Sequence, residues 1–407
     1  MAEMVRYTGF KPRIIPVLGT GVADEIDRVQ SIDKSGTLNK IKVEELGRDG
    51  VVEYIDQPPT VTFRMTQLEH GNLSLFKKLA NVPDSDTEVT LNDFKSSTFD
   101  LCSYLEGDNG TFKGTVWLPK QRLSGFTINI GSPQGLIDRS FDLVGEDWIT
   151  WQGANKYLIH KVETVESGDL ESGNSVIIAV ADPVAVEDPM VAGSFIKRVV
   201  RVRAGVSTEL VEVTDWSYLT GNLTVEDCAV GDTIKYVYTG ASYLTGIDPF
   251  VKNDSDLPGI HADSASLFLA TSDYLYRLQS VSIAVSLERF DVFEIGNNEV
   301  VARGVKTKTV TITLGRILET FTQEEIFAGQ VADFGKLDLR EFGDKFVLKC
   351  HLYSAHDKLV YKIGFRAVDL APTEIRGGAS VGNYVEQGGT LTGQDLTISS
   401  VKATIDA

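Results

Sequence analysis

Alternating apolar and polar residues mark two stretches of the chain as half-buried β-strands. Valine, phenylalanine and methionine alternate with polar residues in 60–65, and threonine alternates with valine, isoleucine and leucine in 307–314. A period of two places the apolar side chains on one face of a strand and the polar ones on the other. Before each strand, a Gly/Asn/Asp turn at 47–50 or 296–298 separates two short strand-like runs, which predicts a hairpin.

The second stretch repeats the first. Residues 277–314 align without a gap on residues 28–65, at an offset of 249 (277 minus 28). The positions identical in both are Arg28, Gln30, Ser31, Leu38, Val43, Glu45, Gly47, Val51, Val52, Thr60, Val61 and Thr62. Several other positions exchange one apolar residue for another. Self-similarity at a fixed offset over this length indicates an internal duplication.

Further elements follow each copy of the repeat. The run NLSLFKKLAN predicts a short helix at 72–79 with Asn72 as N-cap, and a weaker pattern predicts its counterpart at 322–328. Strand patterns follow at 112–118 and 126–130 in the first copy, and at 346–352 and 360–365 in the second. Residues 396–398 predict a final strand.

Residues 147–246 have no counterpart in the second copy. Strand-like runs at 156–162, 175–180, 197–202, 209–213 and 233–238 alternate there with turn sequences. Strands at this spacing predict a small all-β sandwich inserted between the copies.

These patterns together predict a mainly β protein. We expect two tandem β-sandwich or barrel domains, each with a short α-helix, and an inserted all-β, immunoglobulin-like sandwich. The predicted divisions are an N-terminal arm at 1–27, copy one at 28–146, the insert at 147–246, a linker at 247–276 and copy two at 277–407.

Composition narrows the function without naming it. The net charge of −18 argues against a protein that wraps nucleic acid, because that role needs clustered lysine and arginine. No apolar run is long enough to cross a bilayer, so we expect no membrane association. The N-terminus lacks the apolar core of a signal peptide, so we expect the chain to be made and kept in a cytosol. Three widely spaced cysteines, Cys102, Cys228 and Cys350, predict buried free thiols.

Catalytic signatures are weak. Gly378–Gly382 spells GxSxG, but every histidine precedes it and no helix pattern follows, so a glycine-rich loop is the better interpretation. Cys350 and His351 are neighbours in a predicted strand and therefore point to opposite faces, which predicts a core cysteine beside a surface histidine. We expect no catalytic site, no metal and no cofactor.

The hairpin, the threonine-alternating strand and the short helix resemble the tail tube proteins of tailed bacteriophages and, more loosely, the tube proteins of contractile injection systems. The residues that carry the resemblance are 290–296 and 310–314, echoed at 41–47, 61–65 and 72–79. The resemblance implies that sheets from several subunits close into an inner β-barrel, that rings stack, and that DNA passes through the lumen. A fused pair implies trimeric rings with pseudo-sixfold symmetry, with the insert outside as decoration.

The predicted partners follow from this resemblance. They are further copies of the chain in rings and a stacked tube, neighbouring tail proteins, and double-stranded DNA that passes without specific binding. The expected location is the virion tail, assembled in the host cytoplasm. The net negative charge predicts weak adhesion to DNA wherever it lines the lumen. Candidate strands between subunits or along the lumen carry Val43, Glu45, Thr60, Thr62, Val292, Glu294, Thr309 and Thr311.

Two other functions fit the sequence. One is another virion component built on the same β unit, such as a baseplate or tail-terminator ring protein. The other is a tandem β-sandwich protein that binds carbohydrate or acts as an adhesin, in which exposed aromatic side chains stack on sugars. Its candidate aromatic residues are Trp148, Trp151, Trp216 and Tyr218.

Overall fold

A computed structural model gives the fold of the chain. The structure describes residues 5–16, 24–26, 28–44, 51–56, 59–95, 97–107, 112–131, 135–145, 147–152, 157–171, 174–180, 196–219, 221–240, 259–269, 273–274, 278–293, 300–317, 346–354, 359–378 and 386–407. The fold is mainly β, with large antiparallel sheets, so the predicted class is confirmed at that level.

Copy one, the residues before it and the first residues of the predicted insert form β1 to β11 and one helix; β11 pairs with β9, so the insert begins after it. Their bounds are β1 Val5–Pro16, β2 Asp24–Glu25, β3 Val29–Thr37, β4 Lys40–Glu44, β5 Val51–Asp56, β6 Thr60–Leu68, α1 Ser74–Ala80, β7 Glu88–Thr90, β8 Phe99–Gly107, β9 Phe112–Ile130, β10 Asp138–Gly145 and β11 Ile149–Gln152. The insert contains β12 Tyr157–Thr164, β13 Val176–Ala179, β14 Ile196–Arg203, β15 Val206–Glu209, β16 Trp216–Leu219, β17 Asn222–Val225 and β18 Thr233–Gly240.

Copy two and the residues before it form the remaining elements. They are a short 3-10 helix at Ala262–Ser264, then β19 Ala265–Leu269, β20 Asp273–Tyr274, β21 Leu278–Phe293, β22 Val300–Ile317, β23 Phe346–Tyr353, β24 Tyr361–Gly378, β25 Glu386–Gly393, β26 Asp395–Ser399 and α2 Lys402–Asp406.

Three sheets result, because β9 and β24 are long and change partners along their length. The central sheet has the order β3-β6-β10-β9-β21-β22-β25-β24. The first cover sheet has the order β2-β1-β8-β9-β11. The second cover sheet has the order β20-β19-β23-β24-β26-β7. The first four strands of the central sheet come from copy one and the last four from copy two.

The repeated stretches fold into the same hairpin with the same register. Ile32 pairs with Met65, and Val281 pairs with Leu314, which are the residues 249 positions further on. The irregularity between Val29 and Ser31 recurs between Leu278 and Ser280. The ribbon of β4 and β5 likewise matches the far end of β21 and β22 pair by pair. The duplication therefore extends to the backbone hydrogen-bond pattern.

The similarity continues into strands whose sequences do not match. β9 pairs with β10 through a bulge next to Ser124, and β24 pairs with β25 through a bulge next to Thr373. The Ser124 hydroxyl donates to the carbonyl oxygen of Asp142 at 2.9 Å, and the Thr373 hydroxyl donates to that of Thr390 at 3.2 Å. A hydroxyl at the bulged position thus makes the same hydrogen bond in both copies.

One hydrophobic core serves both copies. Apolar residues from the central sheet, both cover sheets and α1 pack into a single buried cluster. Phe76 of α1 lies at its middle, with its ring centroid 5.3 Å from that of Phe126, 5.4 Å from Phe141 and 6.4 Å from Phe365 of copy two. Edge-to-face packing of this kind adds to the stabilisation by burial.

The insert is a two-sheet β-sandwich with its own core. Its sheets have the orders β12-β18-β14-β15 and β13-β17-β16, and the buried residues of the two pack against each other. The insert lies on the outer face of the first cover sheet, where Tyr104 and Trp117 contact Leu158 and Val237. The Tyr104 hydroxyl donates to the Leu158 carbonyl at 2.7 Å, and Arg198 pairs with the buried Asp100.

A different element covers the second cover sheet. There α2 packs with Ile405 fully buried, and Asp406 Oδ1 lies 3.2 Å from Nε2 of His351. His351 is therefore buried, and the prediction of a surface histidine was wrong. The sequence could not show this, because the helix that covers His351 is distant along the chain.

Other sequence expectations are refined by the structure. The helix at 72–79 is confirmed as α1, although its N-cap is Leu73 and Asn72 instead accepts a hydrogen bond from the Ser74 amide at 2.7 Å. Residues predicted as arm and linker contain β1, β2, β19 and β20, which belong to the cover sheets. The predicted helix at 322–328 and the glycine-rich loop after Gly378 lie outside the described residues. All three cysteines are free and buried, as predicted.

Candidate assembly edges

The two copies join edge to edge at one junction inside the chain. β9, an outer strand of the copy-one half of the central sheet, pairs with β21, an outer strand of the copy-two half, from Ile130 opposite Val281 to Gly125 opposite Ser286. Val281, Ile283 and Val285 turn their side chains into the core, where each is nearly inaccessible to solvent. The junction is therefore both hydrogen-bonded and packed.

Arg289 closes one end of this junction. Its guanidinium donates from Nε to the Leu123 carbonyl at 2.9 Å, and from Nη2 and Nη1 to the carbonyls of Phe94 and Lys95, each at 2.7 Å. These carbonyls belong to copy one, and Arg289 belongs to copy two. Charge-assisted hydrogen bonds of this kind fix the register as well as stabilising the contact.

Both ends of the central sheet remain unpaired within the described part of the chain. β3 has β6 on one side and no strand on the other, and the second half of β24 has only β25. Backbone N–H and C=O groups along such edges are available to another strand. The free strands belong to opposite copies, so one chain presents a copy-one edge at one end and a copy-two edge at the other.

The side chains at the β3 edge limit unspecific pairing. Lys34 points toward the core side, where its Nζ lies 4.0 Å from the ring centroid of Trp148, and burial lowers the pKa of its ammonium. An inward-pointing lysine on an edge strand is a known protection against aggregation. Trp148 is 38% exposed beside this edge.

The β24 edge is rich in charge and glycine. Arg376 Nε lies 3.0 Å from Glu374 Oε1, and both side chains are exposed. Gly377 and Gly378 follow, so the end of the strand has no side chains that would set a register by packing.

The solvent face of the central sheet is lined with small polar side chains. One row of directly paired residues crosses both copies and consists of Ser31, Thr66, Ser140, Thr127, Ala284, Thr311 and Thr392. A neighbouring row contains Asn129, Ser282, Thr313 and Thr390, with the Ser282 hydroxyl 2.9 Å from Asn129 Oδ1. On the same face, Nε of Arg64 lies 3.5 Å from Oδ1 of Asp142. The insert lies on the opposite side of the molecule, beyond the first cover sheet.

The structure separates the predicted site residues into three groups. Thr60 and Thr62 on β6, and Thr309 and Thr311 on β22, lie on the solvent face. Their strands already have a partner on each side, whereas β3 and β24 are the outermost strands of the central sheet among those described. Val43 and Val292 lie in the two ribbons, where Val292 is 41% exposed. Glu45 and Glu294 lie outside the described residues.

Three of the four aromatic residues considered for sugar binding are buried or half-buried, and the fourth, Trp148, lies against Lys34 at the β3 edge. Trp151 and Trp216 are buried, at 8% and 5% exposed, and the ring of Trp151 stacks on that of Trp117 with centroids 5.8 Å apart. Tyr218 is half-buried against the core of the insert. Packing in the interior therefore accounts for Trp151, Trp216 and Tyr218.

Two other kinds of feature are absent from the described residues. No group of three histidine, cysteine, aspartate or glutamate side chains there could hold a metal ion. Within the same residues, no helix has the length and apolar character needed to cross a bilayer. No protein-family model matches the chain, and curated proteins gave no significant match.

Proposed function

We propose that this protein is a structural subunit that polymerises into stacked rings forming a hollow tube, the tail tube of a bacteriophage, through which DNA passes. The observation that carries the proposal is the central sheet. It already joins two copies of one unit edge to edge, and among the described strands it leaves an edge of each copy open. Repeating the junction between chains extends the sheet, and closure into a ring removes every edge.

The two faces of the central sheet support a tubular arrangement. One face is packed against the cover sheets, and the other carries rows of hydroxyl and amide side chains. In a closed ring this polar face lines the lumen. A surface of small hydroxyl groups, with no cluster of lysine and arginine among its described residues, offers DNA few phosphate contacts and lets it slide.

The place of the insert agrees with this arrangement. Because it covers the outer face of the first cover sheet, it lies on the far side from the proposed lumen. A ring can therefore close and stack without passing around the insert, which is left as external decoration.

The two ribbons offer contacts for stacking. β4 and β5 pair only with each other among the described strands, and so do the far ends of β21 and β22. Tyr54, Phe290 and Val292 are exposed there, at 54%, 46% and 41%. Two-stranded ribbons are marginal on their own, so a partner in the next ring would stabilise them.

Negative-stain electron microscopy of the purified chain, with sedimentation velocity, tests the proposal. We expect rings of three chains with six similar positions, and hollow tubes at higher concentration. Rings that never stack would favour the alternative of a baseplate or tail-terminator ring protein. Monodisperse globules at all concentrations would overturn the proposal.

A further inference from the structure

Because the unit is duplicated, the junction between β9 and β21 inside one chain shows how the same strand positions can pair between two chains. We infer that the free β24 edge of one chain pairs antiparallel with the free β3 edge of a second copy, in the register that β9 and β21 already show. This inference rests on the proposed function, since it assigns the residues that join neighbouring subunits.

The internal junction serves as a template because both free edges have a counterpart in it. β3 corresponds to β21 at an offset of 249, as their shared register shows. For the other edge, the equivalence is traced across neighbouring strands. In copy one, Phe126 on β9 is two strands away from Met65, through Phe141 on β10. In copy two, Ile375 on β24 is two strands away from Leu314, through Gly389 on β25. Because Met65 and Leu314 are repeat mates, Phe126 and Ile375 occupy the same place, again 249 residues apart.

The register between chains follows by carrying the internal pairs over. Internally, Asn129 faces Ser282, Thr127 faces Ala284, and Gly125 faces Ser286. Between chains, these become Gly378 opposite Asp33, Arg376 opposite Ser35, and Glu374 opposite Thr37. On the core side of the sheet, the pairs between chains are Gly377 opposite Lys34 and Ile375 opposite Gly36.

Charge complementarity supports this register. Arg376 directly faces Ser35, and Asp33 lies two residues along β3 on the same face. Diagonal neighbours across an antiparallel pair are within reach of a long side chain. Arg376 would thus lie between Glu374 of its own chain and Asp33 of the next one. Gly377 and Gly378 specify little by packing, and this contact adds to the register that the other carried-over pairs set.

A second cation agrees with the same register. Arg289, which closes the internal junction on the carbonyls of copy one, corresponds to Lys40 in β4 at the offset of 249. Lys40 therefore brings a positive charge to the same end of the junction between chains. There it faces the Pro372 carbonyl, the counterpart of the Leu123 carbonyl.

The core side explains why one junction is permanent and the other can form reversibly. Val281, Ile283 and Val285 are buried in the internal junction, whereas their counterparts in β3 are Ile32, Lys34 and Gly36. The contact between chains therefore buries less apolar surface. A folded chain can be made first and can join its neighbours afterwards.

Disulfide trapping between two single-cysteine chains tests the register. One chain carries Ser35→Cys, the other carries Arg376→Cys, and the native cysteines do not interfere because all three are buried. After mild oxidation, we expect a linked dimer in the mixture and none from either chain alone. The internal counterpart, Thr127→Cys with Ala284→Cys in one chain, is the matched positive control and forms an intrachain disulfide.

A chain with Thr37→Cys mixed with one carrying Gly378→Cys is the control for a shifted register, because these positions are four residues out of step. Rings in the microscope with linkage at Thr37 and Gly378 instead of Ser35 and Arg376 would overturn the register and leave the ring assembly intact. A dimer from the Ser35→Cys chain alone would show that two β3 edges pair symmetrically, which overturns the inference. A chain that stays monomeric throughout would remove the proposed function and the inference together.

Discussion

The same two strand positions carry an arginine–glutamine pair in both copies, but with the residues exchanged. In copy one, Arg139 on β10 donates from Nε to Gln67 Oε1 on β6 at 2.8 Å. In copy two, Arg316 on β22 donates from Nη2 to Gln387 Oε1 on β25 at 2.7 Å. The backbone register is kept while the side chains have swapped strands, so the duplicated unit preserves the interaction rather than the residue.

The surroundings of these two pairs differ. Arg139 is fully buried, and its Nη1 also donates to Glu69 Oε2 at 3.0 Å, whereas Arg316 is half-buried. Burial lowers the pKa of Arg139, and the adjacent Glu69 carboxylate opposes that shift. The same arginine–glutamine contact is therefore part of the buried core in copy one and lies nearer the surface in copy two.

The largest expected effect comes from breaking the buried pair. Arg139→Ala leaves Glu69 buried without its cation, so we expect the free energy of unfolding to fall by about 3–5 kcal/mol. Arg316→Ala removes the half-buried counterpart and should cost only about 1 kcal/mol. Urea unfolding of both variants measures the difference, and equal losses would contradict the assignment of burial to copy one.

The position of each hairpin in the central sheet gives the second comparison. Ile283 and Lys34 are repeat mates, yet Ile283 is central and fully buried whereas Lys34 is on an edge. Ile283→Ala should lower the free energy of unfolding by about 2–5 kcal/mol, through lost burial and the cavity left behind. Lys34→Ala should change it by less than about 0.5 kcal/mol. A large loss in the Lys34 variant would mean that β3 is covered within the chain.

The third comparison is between the two elements that pack on the cover sheets, the insert on the first and α2 on the second. Under α2, His351 has the Asp406 carboxylate beside it, whereas under the insert the Lys235 Nζ has no hydrogen-bond acceptor among the described residues. Burial lowers the pKa of Lys235 to about 8. Between that value and its ordinary pKa the unfolded chain binds more protons, so the unfavourable contribution of Lys235 disappears as pH rises from about 8 to about 10.5.

Replacing Lys235 tests this contribution. Lys235→Met should unfold at a higher temperature than the native chain at pH 7, and the gap should narrow between pH 8 and pH 10. Thermal unfolding of both proteins across this range is the measurement. A gap independent of pH would show that the ammonium is hydrated and that its burial has no cost.

The smallest expected effect concerns the contact between chains. Asp33→Arg places two like charges near each other across the proposed junction and should weaken each contact by about 0.2–1 kcal/mol. Arg376→Asp in the same chain should restore most of that loss, which sedimentation velocity can follow. Stability should be unaffected in both variants, since the two side chains are exposed. Additive weakening in the double variant would argue against their proximity.

Periodicity and self-similarity predicted much of the fold. The alternation in 60–65 and 307–314 predicted two strands with the correct buried faces, and the offset of 249 predicted the same hairpin in both copies. The structure shows that the two hairpins also share one register. Local patterns also predicted the helix α1 and five strands of the insert. One of these five, at 209–213, overlaps β15 only at Glu209. Each of these signals lies within a few consecutive residues.

The edges could not be found in this way. The repeat predicts the threonine strands as candidates for contacts between subunits or for the lumen, and the structure places both inside the central sheet, with a partner strand on each side. The equivalence of β9 and β24 has no sequence signal, since Phe126 corresponds to Ile375 and Ile128 to Gly377. Only strand pairing shows which groups are left unpaired at the ends of the sheet.

By itself, the sequence determined that one β unit occurs twice and which face of its main strands is buried, because these properties follow from residue spacing along a single strand. The tertiary structure decided that the two units share one core, that the insert lies opposite the polar face, and which edges of the central sheet have no further partner among the described strands. Those properties depend on contacts between residues far apart in the chain, and a packed or hydrogen-bonded contact needs no similarity between the residues that make it.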